Sequence, residues 1–175
     1  MNRSLAGAAL ACATLLSPAA LAGNVSLSFN GIPGTIEVLS FSWGATNSAT
    51  VGGGGGGGGA GRVTFNEFTF SATEHSTSPA HFENVASGRH ITGARLTVMH
   101  PDTGKPQSEW TLTDVLVTSF GVANGEPDPK GKQPNTLGVP VTKVALSFAK
   151  ACYKVFAGDG SVRENCWNAV TNSAS

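Results

Sequence analysis

Eight consecutive glycines, Gly52 to Gly59, sit between two segments with strand character, one ending at Trp43 and the other starting at Arg62. A glycine run cannot bury apolar surface, and each glycine loses more backbone freedom on ordering than any other residue. The connection far exceeds a hairpin loop, for which about two to five residues suffice. Such a stretch is either an unanchored excursion or a segment held by something outside its own subunit.

Residues 1–22 have the pattern of a cleaved secretory signal. Arg3 provides the positive start, Leu5 to Leu16 the apolar stretch, Ser17-Pro18 the break, and Ala20-Leu21-Ala22 the small-x-small cleavage pattern. The apolar part falls short of the roughly 20 residues of a membrane-spanning helix. A lipoprotein site at Cys12 is the weaker reading, because few apolar residues precede it. The mature chain is then residues 23–175, one domain long enough to build a core.

The sequence carries 11 Lys and Arg against 11 Asp and Glu, so loss of Arg3 leaves a formal charge of −1. Without clustered basic residues, nucleic acid and anionic membrane surfaces are excluded as partners. No later segment is long and apolar enough to span a bilayer, so a soluble product is expected, in the periplasm or outside the cell. Loss of Cys12 also turns an odd cysteine count into one pair, Cys152 and Cys166, a disulfide candidate in an oxidising compartment.

Alternating apolar residues place strands at 24–30, 35–43, 62–73, 89–100, 109–120, 139–156 and 162–170. Two runs switch parity. Ile36 and Val38 give way to Leu39, Phe41 and Trp43, and Val63 and Phe65 give way to Phe68 and Phe70. Such a switch marks a bulge or sharp bend, as barrel strands require. Ala94, Leu96 and Val98 share one face, as do Trp110, Leu112, Leu116 and Phe120. Turn residues fill 30–34, 101–104 and 157–161, and a second long polar connection covers 121–138. Ser78 as N-cap and Pro79 at the first helical position open a helix of about two turns, with Phe82 and Val85 as its apolar contacts and Gly88 beyond its end. Counting outward from Asp159 sets Cys152 opposite Cys166, within disulfide range. The chain reads as mainly β: a small antiparallel β-barrel or curled sandwich with one short flanking α-helix and a long Gly-rich loop.

Motifs for chemistry are missing. His75, His81, His90 and His100 fall close together with Glu74, Glu83 and Asp102, but no two of these histidines share the i, i+4 spacing of helical ligands, so no metal is assigned. The glycine run ends in Ala-Gly-Arg-Val and not in the Gly-Lys-Ser/Thr of a phosphate loop. No G-x-S-x-G elbow occurs, carboxylates are scattered singly, and the paired cysteines would not survive oxidation as nucleophiles. Trp43, Trp110 and Trp167 read as core packing, with sugar stacking as the lesser alternative. No catalytic residue and no cofactor is expected.

In order and spacing, several pieces resemble the haemolysin-coregulated protein family, the tube proteins of the bacterial type VI secretion system. They are Ser42-Trp43-Gly44, Ala60-Gly61-Arg62 after the glycine run, Phe68-Thr69-Phe70, Ser76 to Pro79, Ala86 to His90, and Ala94 to Thr97. Leu112 to Ser119, Val144 to Phe148 and Trp167-Asn168 continue the series. The resemblance spans about Ile32 to Asn168. It implies a β-barrel with one flanking helix, assembled as a hexameric ring that stacks head to tail into a tube and carries small effectors in its lumen. It further implies that Gly52, Gly53, Gly54, Gly55, Gly56, Gly57, Gly58 and Gly59, with Ala60, Gly61 and Arg62, lie on a neighbouring subunit. That partner would offset the ordering entropy of the run. The chain departs from the family in its export signal, its long glycine run and its cysteine pair. The other reading left open is an exported ligand- or carbohydrate-binding barrel that does not form a tube.

Overall fold

The computed structural model describes residues 24–48, 62–124 and 140–175; the expected signal at 1–22, residues 49–61 with the glycine run, and residues 125–138 of the second long connection lie outside them. In chain order the elements are β1 (Val25–Phe29), β2 (Ile32–Ser42), β3 (Ala45–Asn47), β4 (Val63–Phe65), β5 (Phe68–Thr73), α1 (Ser78–Ser87), β6 (His90–Met99), β7 (Pro106–Asn124), β8 (Pro140–Phe156), β9 (Val162–Asn168) and β10 (Ser173–Ala174). Six strands, β8-β5-β2-β1-β6-β7, form an antiparallel barrel that closes because β7 also pairs with β8. Closure removes the open sheet edges that would otherwise template aggregation. β9 and β10 extend the sheet beyond β8, and β3 and β4 form a small sheet of their own. The expected mainly-β barrel with one short helix is the observed architecture.

Of the two parity switches, the one in β2 is a bulge and the one in 62–73 is a break between two strands. In β2 the register with β5 slips between Val38 and Ser40. Ile36 and Val38 point into the core, Leu39 and Ser40 both stay outside, and Phe41 turns back in. Leu39 is therefore no core residue; it is 58% exposed. β7 reverses at Asp114, whose φ of 53° is left-handed, and slips again after Val117. Val115 and Val117 thus fill the core, and Leu116 does not share the face of Trp110 and Leu112. Residues 62–73 are two strands, because Asn66-Glu67 carries the chain from the β3–β4 sheet into the barrel. The first turn is only Asn30-Gly31, with Gly31 at φ +81°, and Phe29 opposes Ile32, so Pro33 and Gly34 already belong to β2. The last strand stops at Asn168, and β10 follows it.

The core is Leu27, Ile36, Phe68, Leu96, Leu112, Val115 and Leu146 with their neighbours. The helix covers one end of it in an unexpected way. Thr77, not Ser78, is the N-cap residue, and its side chain makes no capping bond; Ser78 Oγ instead accepts from the His75 amide at 3.2 Å. Gly88 closes the helix in the left-handed conformation. The face turned inward is Ser78, His81 and Asn84, whereas Phe82 is 61% exposed and meets Phe120 edge-on at 6.1 Å. His81, 1% exposed, lies edge-on to Phe29 at 4.7 Å, and neither ring nitrogen has a hydrogen-bond partner among the described residues.

Burial, with a smaller contribution from His75, pushes the His81 imidazole down from 6.5 to about 4. Burial lowers His75 as well. A neutral His81 in the fold protonates on unfolding below pH 6.5, so its stabilisation is complete above that value and disappears as pH falls toward 4. Wild type should lose about 3 kcal/mol more than His81→Leu between pH 7 and pH 4 in urea unfolding; equal losses would contradict this placement. The β2 bulge makes a second prediction. Leu39→Ser should change stability by less than about 0.5 kcal/mol, whereas Phe41→Ala should cost about 2 kcal/mol.

Candidate functional site

The β3–β4 sheet continues the β2–β5 pair past the barrel rim. β2 and β5 pair up to Ser42 opposite Thr69. Beyond them the Asn66 amide donates to the Gly44 carbonyl at 2.9 Å, and Ala45, Thr46 and Asn47 pair with Phe65, Thr64 and Val63. The Ser48 amide donates to the Arg62 carbonyl at 3.4 Å. The result is a two-stranded arm that leads into the glycine run. Gly52, Gly53, Gly54, Gly55, Gly56, Gly57, Gly58, Gly59, Ala60 and Gly61 lie outside the described residues; Arg62 is described and exposed.

Two anchors hold the arm to the body. The first is aromatic: Trp43 stacks on Phe65 with ring centroids 5.9 Å apart, and Phe148 of β8 meets Phe65 at 5.8 Å and Trp43 at 6.4 Å. Such pairs add about 0.5–1.5 kcal/mol each beyond area burial. The second is polar: the Val63 amide donates to Asn172 Oδ1 at 3.0 Å. A cavity of about 210 Å³ lies between arm and body, lined by Arg62, Val63, Phe65, Glu67, Ser147 and Ala169. Asn172 reaches Val63 because Asn168 Oδ1 accepts from the Val170 and Thr171 amides, tightening the turn, and Asn172 itself is left-handed at φ 53°.

Cys152 and Cys166 face each other across β8 and β9 and form a disulfide, with Cα atoms 4.0 Å apart. The histidines do not converge on a metal site. His75 and His81 sit under the helix with centroids 6.4 Å apart, His90 Nδ1 is 2.6 Å from Asp114, His100 lies 3.9 Å from Asp102, and Glu83 pairs with Arg89. Among the described residues, the one cluster of three metal-ligating types is Cys152, Glu164 and Cys166, whose sulfurs are spent on each other. Trp110 packs between Tyr153 at 4.6 Å and Phe41 at 5.6 Å, so its faces, like those of Trp43, are occupied by protein rings.

Sequence reasoning placed β4 within its strand at 62–73 but missed β3, Phe148 as anchor and Asn172 as clamp. Ala45-Thr46-Asn47 carries no alternation, and the single Asn172 in the last residues gave no signal for the clamp.

The sequence model of the family described as "Type VI secretion system effector, Hcp" matches residues 21–154. The chain belongs to the Hcp family. Its barrel is similar to a crystal structure of Hcp1 from Salmonella typhimurium, with TM-score 0.68 and 22% identity, covering 86% of this chain and 97% of that one. A structure of a type six secretion system protein matches with TM-score 0.72 and 16% identity, over 88% of this chain and 100% of that one. Hcp2 from Salmonella typhimurium matches with TM-score 0.61 and 19% identity, over 85% and 98%. At these identities the structural likeness shows the shared fold. No curated protein matches the sequence significantly. The Hcp match ends at residue 154, ahead of Cys166 and Asn172. Among the described residues, no helix is long and apolar enough to cross a membrane.

The disulfide closes a loop of sequence separation 14. Reduction with dithiothreitol should lower the unfolding free energy by about 3 kcal/mol, read from urea melts, and Cys152→Ser with Cys166→Ser should match the reduced protein. An unchanged midpoint would contradict the assignment.

Proposed function

We propose that this Hcp chain is a non-enzymatic tube subunit, which forms hexameric rings that stack head to tail and carry small effectors in the lumen. Residues 52–62 lie on a neighbouring copy in this reading. The observation that carries it is the arm. Its two strands pair with each other alone among the described residues, β3 is exposed throughout and β4 is half-exposed. An isolated two-stranded hairpin is marginal in water. Fixing the eight glycines beyond it costs on the order of 10 kcal/mol at about 1–2 per residue, so a partner's surface is needed to order them. Contacts of one kind of surface with a different surface on the next copy generate both closed rings and open stacks.

The proposal extends to location. Residues 1–22 act as a cleaved signal, the single domain 23–175 acts in the periplasm or outside the cell, and that oxidising space maintains the cysteine pair. Partners are further copies, other components of the secretion machinery and small effectors, and the near-neutral charge leaves nucleic acid out.

Light scattering on the full-length protein should give a particle of about six subunits. Gly52→Pro combined with Gly56→Pro should reduce it to monomers whose thermal melt stays within about 3 °C of wild type. A wild-type monomer at high concentration, or undiminished assembly of the proline variant, would contradict the reading.

A further inference from the structure

β9 lies outside the closed barrel, and its ladder with β8 is covered by little side-chain burial over its first four residues. Val162 is 54% exposed, and Arg163, Glu164 and Asn165 are exposed as well; Cys166, Trp167 and Asn168 are half-buried. β8 flanks it along its length, and among the described residues the other side carries the two residues of β10. The Lys154–Glu164 ion pair, 3.5 Å long and partly exposed, adds little. The covalent bond from Cys152 to Cys166 is therefore the firmest attachment of this strand. Six residues beyond Cys166, Asn172 grips the Val63 amide at 3.0 Å. Between them the chain is tied back by short bonds: Ala169 N to Ala149 O at 2.8 Å, Ser173 opposite Asn168, and Ser175 N to Cys166 O at 3.3 Å. The amide of Val63 is spent on Asn172, so loss of that acceptor removes one tie between the arm and the body.

We propose that the Cys152–Cys166 disulfide is a redox latch on the arm: while it is closed, β9 holds Asn172 against Val63, and when it is opened the clamp releases. The opening reaction is exchange with a dithiol. A thiolate of the reductant attacks one sulfur and the S–S bond breaks. The reductant gives up two electrons and two protons and closes to its own disulfide, and Cys152 and Cys166 become two thiols. The latch rests on contacts within one chain. Its consequence, weaker assembly under reducing conditions, rests on the reading that the arm lies on a neighbouring copy.

Amide hydrogen exchange of the full-length protein, resolved by NMR, tests the latch with dithiothreitol as the reductant. Reduction should raise exchange of the Val63 amide by at least about tenfold, and that amide should then exchange at least about tenfold faster than those of Leu96 and Leu146, because the opening is local. In oxidised protein Asn172→Ala should give the same rise, and reduction of that variant should add no more than about twofold, since both changes remove one interaction. Three results would overturn the proposal. These are a Val63 rate indifferent to reduction, a Val63 rate equal to the core rates in reduced protein, and a further tenfold rise on reducing Asn172→Ala. Particle size by light scattering is read on the same samples. If Val63 behaves as expected and size stays constant, the latch stands and the assembly role of the arm fails.

Discussion

The pairing of β7 with β8 is the interaction on which the rest of the structure depends. It runs from Ser108 opposite Val155 to Asn124 opposite Pro140, and it turns a twisted sheet into a closed cylinder. Strands this long cannot stay flat, and the chain bends them with the reversal at Asp114 and the slip after Val117. The same ladder fixes β8, which carries Phe148 to the arm and presents Cys152 to Cys166 of β9. Closure therefore sets both the core and the position of everything attached outside it.

What projects from that cylinder has little stability of its own. The arm continues the β2–β5 pair but leaves the core behind, and an aromatic cluster and a side-chain hydrogen bond fix it to the body. A monomer that served alone would gain nothing from a long glycine-rich connection on such a support. In a ring the arrangement would make sense, since glycine lets backbone approach the backbone of a neighbouring copy.

Much of this was legible in the residues. Period-two alternation located the barrel strands, and the parity switch after Val38 announced the β2 bulge because a one-residue insertion flips every later side chain. What alternation could not do was say which residue is extra, and so Leu39 and Leu116 were placed inside. The helix face was legible in part. Val85 packs against the core as expected, but Phe82 stays outside, because the helix rests where Phe29 and Phe70 supply the apolar surface and His81 fits between them. The cysteine register was readable because a tight turn fixes every pair that follows it. β3 and Asn172 were not, because the three small residues Ala45-Thr46-Asn47 carry no periodicity, and a clamp 109 residues away in sequence leaves no local trace.

The central claim is that the glycine-bearing arm of one copy rests on another. Installing a photo-reactive residue at position 60 and irradiating the purified full-length protein tests it most directly. Covalent products climbing stepwise from dimer to a ring-sized band are the predicted result. Products confined to the single chain would contradict the account.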